Sequence, residues 1–232
     1  MGVERWTKEQ KPLRIMKVEL VPLEDLHPHE AIIGDELDDF CNSLKSKGVF
    51  FRPILLDRAS HVVLDGHHRV EGLRRIGASK VPAILLDYKD DEIELHTWYP
   101  LIWEEPEVVA KQLSEVAEIE CVSGEEALAQ VDEGRAALAL FPQSEDGVLI
   151  ARGDIGQLLE HLSRTYQLEY VDTLDFMCRF KDELGTVLYR RAPTKDEVIS
   201  KALAGEVYPP KTTRHYLPFR YQDIRIKLSH LF

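Results

Sequence analysis

A chain of 232 residues, 44% hydrophobic and 30% charged, can bury a core and is expected to form one large domain or two small ones. Its formal net charge of −12 opposes the basic face that polyanion binding needs, so a nucleic-acid function is disfavoured. No stretch approaches the roughly 18 apolar residues of a membrane span, and Met1 to Arg14 lacks the apolar core of a secretory signal, so a cytoplasmic protein is expected.

The first predicted element is a strand over Ile15 to Val21, stopped by Pro22, followed by the polar loop Leu26-His27-Pro28-His29-Glu30. From Asp35, the apolar positions Leu37, Phe40, Cys41 and Leu44 recur at helical spacing until Gly48. Val49 to Leu56 is predicted as a strand, at an edge or bulged because Pro53 lacks an N–H. A strand over His61 to Asp65 runs into Gly66 and a helix over His68 to Ile76, closed by Gly77. A strand over Val81 to Asp87 follows, and the alternation from Ile93 to Trp98 puts Glu94, His96 and Trp98 on one face.

The pattern breaks at Trp103-Glu104-Glu105-Pro106, which places a domain boundary there, with units over 1–103 and 104–232. Helices are predicted over Val108 to Val116, Gly124 to Glu133 and Asp154 to Tyr166, and strands over Ala136 to Phe141 and Gly147 to Ala151. Phe176, Phe180 and Leu184 favour a helix before a strand at Val187, and Thr194 with Glu197 forms a capping box for a helix through Ala204. Helices and strands mix in both halves, so the fold class is α+β.

Chemistry concentrates in a few places. The strand, turn and helix start at Asp65-Gly66-His67-His68-Arg69 would leave first-turn N–H groups facing an anion, with three side chains able to carry positive charge around them. Phosphate suits such a cradle; an ordinary turn facing water is the plainer alternative. Asp65, at the strand end, suits a magnesium ion shared with phosphate oxygens, or an Asx turn that shapes the reversal.

Glu30 stands in a loop, where a carboxylate can accept a hydroxyl proton or simply face solvent. His27, His29, His67 and His68 are weakly spaced for zinc and better suited to donating hydrogen bonds to phosphate. Lys211-Thr212-Thr213-Arg214-His215, after two prolines, offers two hydroxyls, a guanidinium and an imidazole for a phosphate or carboxylate, or forms a solvated basic stretch. Trp98 is either a pocket wall or core. Cys41, Cys121 and Cys178 lack CxxC spacing, and Cys41 and Cys178 suit buried structural thiols.

Arg52-Pro53-Ile54 on a strand and Gly66-His67-His68-Arg69 at a helix start resemble the nucleotide-phosphate site of the ParB and sulfiredoxin superfamily, over about residues 15 to 100. The turn differs from the GERR type of DNA-partitioning members, and His67 stands where sulfiredoxins carry their cysteine. Asp65 to Arg69, Glu30 and the late Thr-Thr-Arg-His segment are similar to the archaeal free serine kinases.

That resemblance implies a ParB/sulfiredoxin-like nucleotide-binding domain with a second, smaller α/β domain whose segment at about 208–220 returns to the active site. It implies transfer of a phosphoryl group from ADP to free L-serine, giving O-phospho-L-serine and AMP on a route to cysteine. Glu30 would be the catalytic base, Asp65 the magnesium ligand, and Val49, Phe51, Gly66, His67, His68 and Arg69 the nucleotide contacts. Trp98, Thr212, Thr213, Arg214 and His215 would take the amino acid. The expected partners are L-serine and ADP, with no nucleic acid and no membrane, acting as a monomer. The alternative is a ParB-like nucleotide-binding switch without small-molecule kinase activity.

Overall fold

The computed structural model describes residues 11–32, 34–144, 147–172 and 185–232, which form two compact units. The first comprises residues 1–96, 194–210 and 215–232; the second comprises 97–193 and 211–214. The expected division at 103/104 is therefore corrected on two counts. The chain changes unit at Thr97, and most of the segment after Thr194 belongs with the N-terminal unit. The cause is burial: Val198, Ala202 and Phe219 pack in one cluster with Leu55, Leu64 and Ile84.

The first unit is built on a four-stranded sheet in the order Glu19–Pro22, Lys80–Leu86, Ile54–Asp57, Val63–Asp65. Ile54–Asp57 runs parallel to Lys80–Leu86, and the other pairs are antiparallel. The near-continuous apolar runs follow from burial on both faces. Ile54, Leu56, Val63, Val81 and Ala83 point to one core, which takes Leu44 of helix Gly34–Lys47 and Val70 and Leu73 of helix His67–Arg75. Leu55, Leu64, Ile84 and Leu86 point to the other, covered by helix Lys195–Leu203. The capping box opening that helix is formed, with Glu197 N–H donating to Thr194 Oγ1 at 3.2 Å and Thr194 N–H to Glu197 Oε2 at 2.7 Å.

The predicted strand from Val49 to Leu56 divides into Val49–Phe50 and Ile54–Asp57. Val49–Phe50 pairs with Ile226–Lys227 in the C-terminal tail, and Phe51 lies outside both strands. Proline at position 53 lacks the N–H to continue one ladder, so the chain changes partner across the break. The first predicted strand contracts to Glu19–Pro22, while Leu13–Arg14 pairs in parallel with Arg220–Tyr221.

The second unit contains a six-stranded antiparallel sheet in the order Glu169–Val171, Tyr99–Ile102, Thr186–Tyr189, Leu138–Ser144, Gly147–Arg152, Glu118–Val122. Alternate residues feed two cores. Leu138, Leu140, Ala151 and Leu188 meet helices Pro106–Leu113 and Ile155–Ser163, while Ala139, Phe141, Val148 and Ile150 meet helix Gly124–Asp132. Ser123 and Asp154 cap two of these helices, accepting from Glu126 and Gln157 N–H at 3.2 and 2.9 Å. Cys41 is buried and Cys121 exposed; Cys178, with the helix expected around Phe176 and Phe180, lies outside the described residues.

Candidate active site

The turn after Val63–Asp65 is closed by Gly66, whose φ of +113° is one that residues with a Cβ rarely adopt. A Cβ there would stand 2.6 Å from Ile54 Cγ2, so the backbone lies directly against the neighbouring strand. Gly66 is also the N-cap of helix His67–Arg75, and its carbonyl accepts the first helical bond from Val70 N–H at 2.9 Å. As N-cap, Gly66 brings no capping side chain, and the first-turn amides form an electropositive terminus that suits an anion.

Asp65 and Arg69 brace the turn from one side. Arg69 donates to Asp65 Oδ2 at 2.7 Å and to the carbonyls of Arg52 and Pro53 at 3.2 and 2.5 Å. Tyr221 donates its hydroxyl to the same Asp65 oxygen at 3.0 Å and accepts Arg52 Nε–H at 3.1 Å. Burial of Asp65 works against its charge, but the neighbouring Arg69, then Arg52 and Tyr221, outweigh it and hold the carboxyl below its ordinary range. Asp65 thus enters the site as a carboxylate.

The other side is lined by histidines. His29 is wholly buried, and its ring meets His67 edge to face with centroids 4.5 Å apart and His215 with centroids 6.0 Å apart. His29 N–H donates to His67 Nε2 at 3.4 Å, so that nitrogen is an acceptor and the neutral ring carries its proton on Nδ1. Burial lowers the His67 pKa well below its usual value, aided by repulsion from His29, His215, His68 and Arg69. The expectation that three side chains around the turn could be charged is corrected for His67, which is neutral at pH 7.

His29 is pushed down to about 4 by burial, against a hydrogen bond to the Val63 backbone. His215 is pushed down to about 3, again chiefly by burial. Tyr88, fully buried, shares a hydrogen bond of 2.8 Å with His215 Nε2. Burial raises the phenol pKa, so Tyr88 stays protonated.

Glu30 is half-buried in the loop beside this cluster. Its backbone forms a parallel bridge with Tyr208, in which Tyr208 N–H donates to His29 O at 2.8 Å and Ala31 N–H to Tyr208 O at 2.9 Å. A cavity of about 190 Å³ is lined by Glu30 and by His67, the first residue of the cradle helix, with Pro28, Val70, Arg74 and Val207 around them. Glu30 and His67 therefore open onto one space, which runs along the helix flank past Val70, Glu71 and Arg74; Asp65, Gly66, His68 and Arg69 do not line it.

The remaining candidates are distributed as follows. Val49 pairs with Lys227, and Phe51 is 43% exposed with the Arg225 guanidinium 6.0 Å from its ring centre. The strand carrying Glu94 and His96 ends at His96, so Trp98 does not share their strand face and belongs to the second unit. Within that unit, Arg214 lies 3.9 Å over the Trp98 ring and pairs with Asp172 at 2.5 Å, while Thr212 and Thr213 are buried. Tyr88, Tyr208 and Tyr221 were absent from the sequence-based site. Tyr221 is 156 positions from Asp65 and Tyr88 is 127 from His215, so only tertiary structure joins them.

No family model matches the chain. An ADP-dependent L-serine kinase from Thermococcus kodakarensis is 33% identical over 245 aligned residues, covering 100% of both chains. An ATP-dependent L-serine kinase from Staphylothermus marinus is 31% identical, over 90% of this chain and 88% of its own. A solved free serine kinase in complex with AMP superposes with a TM-score of 0.84 at 32% identity, covering 100% of both chains. Full-length identity above 30%, together with this agreement in fold, shows that the chain belongs to the free L-serine kinase family.

Proposed function

We propose that the protein phosphorylates free L-serine with ADP as donor. The serine Oγ forms a bond to the β-phosphorus of ADP, the bridging P–O bond breaks to release AMP, and the hydroxyl proton passes to Glu30. The observation that carries this reading is the cavity that Glu30 shares with His67, the first residue of the helix after Gly66, in a chain of this family. Free serine kinase structures with AMP and, in a glutamate-to-alanine variant, with ADP support a nucleotide ligand.

In this reading the amides from Gly66 to Arg69 and the His68 side chain take the phosphate oxygens. Neutral His67 offers Nδ1–H as a donor without adding charge. Arg69 supplies positive charge beside the helix end while its guanidinium holds the turn in shape. Val49 and Phe51 contact the rest of the nucleotide. Trp98, Thr212, Thr213, Arg214 and His215 hold the amino acid, with Arg214 as the partner of its carboxylate. Catalysis is then positioning and charge stabilisation, with Glu30 accepting the proton as the new bond forms.

Asp65 fits a magnesium ion. It is ionised, Arg69 and Tyr221 both donate to its Oδ2, and 43% of its side chain is exposed. Among the described residues, no group of three or more His, Cys, Asp or Glu side chains could cage a metal, so the fit is to an ion sharing one carboxylate with phosphate oxygens and water. Bound there, magnesium would draw charge from the phosphate oxygens.

We place the reaction in the cytoplasm, on a route from serine to cysteine. Among the described residues no helix is long and apolar enough to cross a membrane. ATP is the second donor to consider, because the Staphylothermus marinus relative is ATP-dependent. The test is incubation with magnesium, L-serine and either ADP or ATP, followed by separation of products. Phosphoserine with AMP is expected from ADP; phosphoserine with ADP, formed faster from ATP, would reverse the donor assignment. Nucleotide binding without phosphoserine from either donor would leave a nucleotide-binding switch instead.

A further inference from the structure

We propose that Arg190 is a positioning residue for the amino-acid substrate, acting through Trp98 and the segment 211–214 without touching the substrate itself. The inference rests on the reading above, in which Trp98 and Thr212 to Arg214 hold L-serine.

Arg190 directly follows strand Thr186–Tyr189 and is 1% exposed, among the largest fully buried side chains in the described structure. A guanidinium so placed is costly unless its donors are matched. Its Nε–H is shared between Thr97 Oγ1 at 3.1 Å and the Trp98 carbonyl at 2.9 Å, while Nη2 donates to the Lys211 carbonyl. These acceptors come from two segments far apart in sequence, and each lies on or directly beside a residue assigned to serine.

The backbone at Lys211 adds an independent sign of constraint. Its φ of +61° is left-handed, which is uncommon for a residue with a Cβ and is maintained only when surroundings fix it. The Arg190 bond to the Lys211 carbonyl supplies such a fixture immediately before Thr212. Further along, Arg214 stacks on Trp98 and pairs with Asp172, so the two segments tied by Arg190 meet again at the residues proposed to bind substrate. A planar fork can meet acceptors on both segments at once. A lysine ammonium in its place lacks that geometry.

The test compares wild type, R190K and T97V as full-length proteins with magnesium and the active donor, measuring KM for L-serine, kcat and nucleotide Kd. R190K is expected to raise serine KM at least 10-fold, and T97V, which removes one acceptor, about 2- to 5-fold. Nucleotide Kd should stay within 2-fold in both. A merely structural role would instead lower the active fraction, leaving both constants unchanged, or would weaken both ligands together. Either pattern overturns the assignment of Arg190. Absence of phosphoserine from wild type with either donor overturns the functional reading, and this proposal falls with it. If R190K does not fold, T97V alone decides: serine KM raised with nucleotide Kd unchanged supports positioning, and an unchanged serine KM refutes it.

Discussion

Tyr208 clasps the backbone around Glu30, its N–H on the His29 carbonyl and its own carbonyl on Ala31 N–H. Ordered by two backbone bonds, the Glu30 loop is suited to the exact placement that proton transfer from a serine hydroxyl demands. Glu30→Gln keeps the shape and removes the basic oxygen. It is expected to leave nucleotide affinity within a few fold while lowering turnover by on the order of 10² or more. Calorimetric ADP binding beside a steady-state assay checks both halves, and near-normal turnover would refute the role of Glu30 as base.

Gly66 makes a separate, structural prediction. Gly66→Ala must hold a Cβ at φ +113° and push Ile54 Cγ2 away from a 2.6 Å approach. Left-handed strain alone costs about 1–2 kcal/mol, and the displaced isoleucine lies in the core. A lowered thermal midpoint is expected together with at least 10-fold weaker ADP binding, because the amides after Gly66 form the proposed phosphate cradle. Unchanged ADP affinity in a folded G66A protein would remove the turn from the nucleotide site.

Much of the first unit was legible because its signals are local. The strand ending at Asp65, Gly66 and the helix after it needed only β-branched residues, a glycine and helical periodicity. The Thr194–Glu197 capping box was equally readable, since both partners lie three residues apart. The unit to which that helix belongs was not legible, because Val198 and Ala202 find their core against residues from Leu55 to Ile93. The contacts of Tyr221 with Asp65 and of Tyr88 with His215 were hidden for the same reason. Burial also changed the chemistry: His67 looked chargeable in sequence, yet it is packed, as are His29 and His215, so that the neutral ring is favoured.

That cluster predicts acid sensitivity. An unfolded histidine titrates near 6.5, whereas His29 in the fold titrates near 4 and His215 near 3. Between these values the unfolded chain binds more protons, so acid favours unfolding. Stability from these groups is full above about pH 6.5. It falls as pH drops toward about 4 for His29 and about 3 for His215, and the loss levels off below those values. The limiting slope is about 1.4 kcal/mol per pH unit for each histidine. Urea unfolding from pH 7.5 to 4.5 should show falling stability, and His29→Gln should flatten the slope. A His29→Gln profile parallel to wild type would count against a neutral His29.

Asp65 separates two roles that a loss of activity alone would confuse. As a brace it anchors Arg69 and Tyr221; as a proposed metal ligand it shares magnesium with the donor's phosphates. Asp65→Asn keeps an oxygen able to accept from Arg69 but removes a negative charge beside the cradle. Arg69 and Arg52 then lose the carboxylate that offsets their charge. Without magnesium, ADP should therefore bind Asp65→Asn as tightly as wild type or more tightly. With magnesium, the variant should lose most of the metal's stimulation of turnover, and half-saturation should rise at least 10-fold. Calorimetric titrations of ADP with and without magnesium, beside turnover across a magnesium series, distinguish the cases. Equal loss of ADP affinity in both titrations would identify Asp65 as a brace and remove it from the metal site.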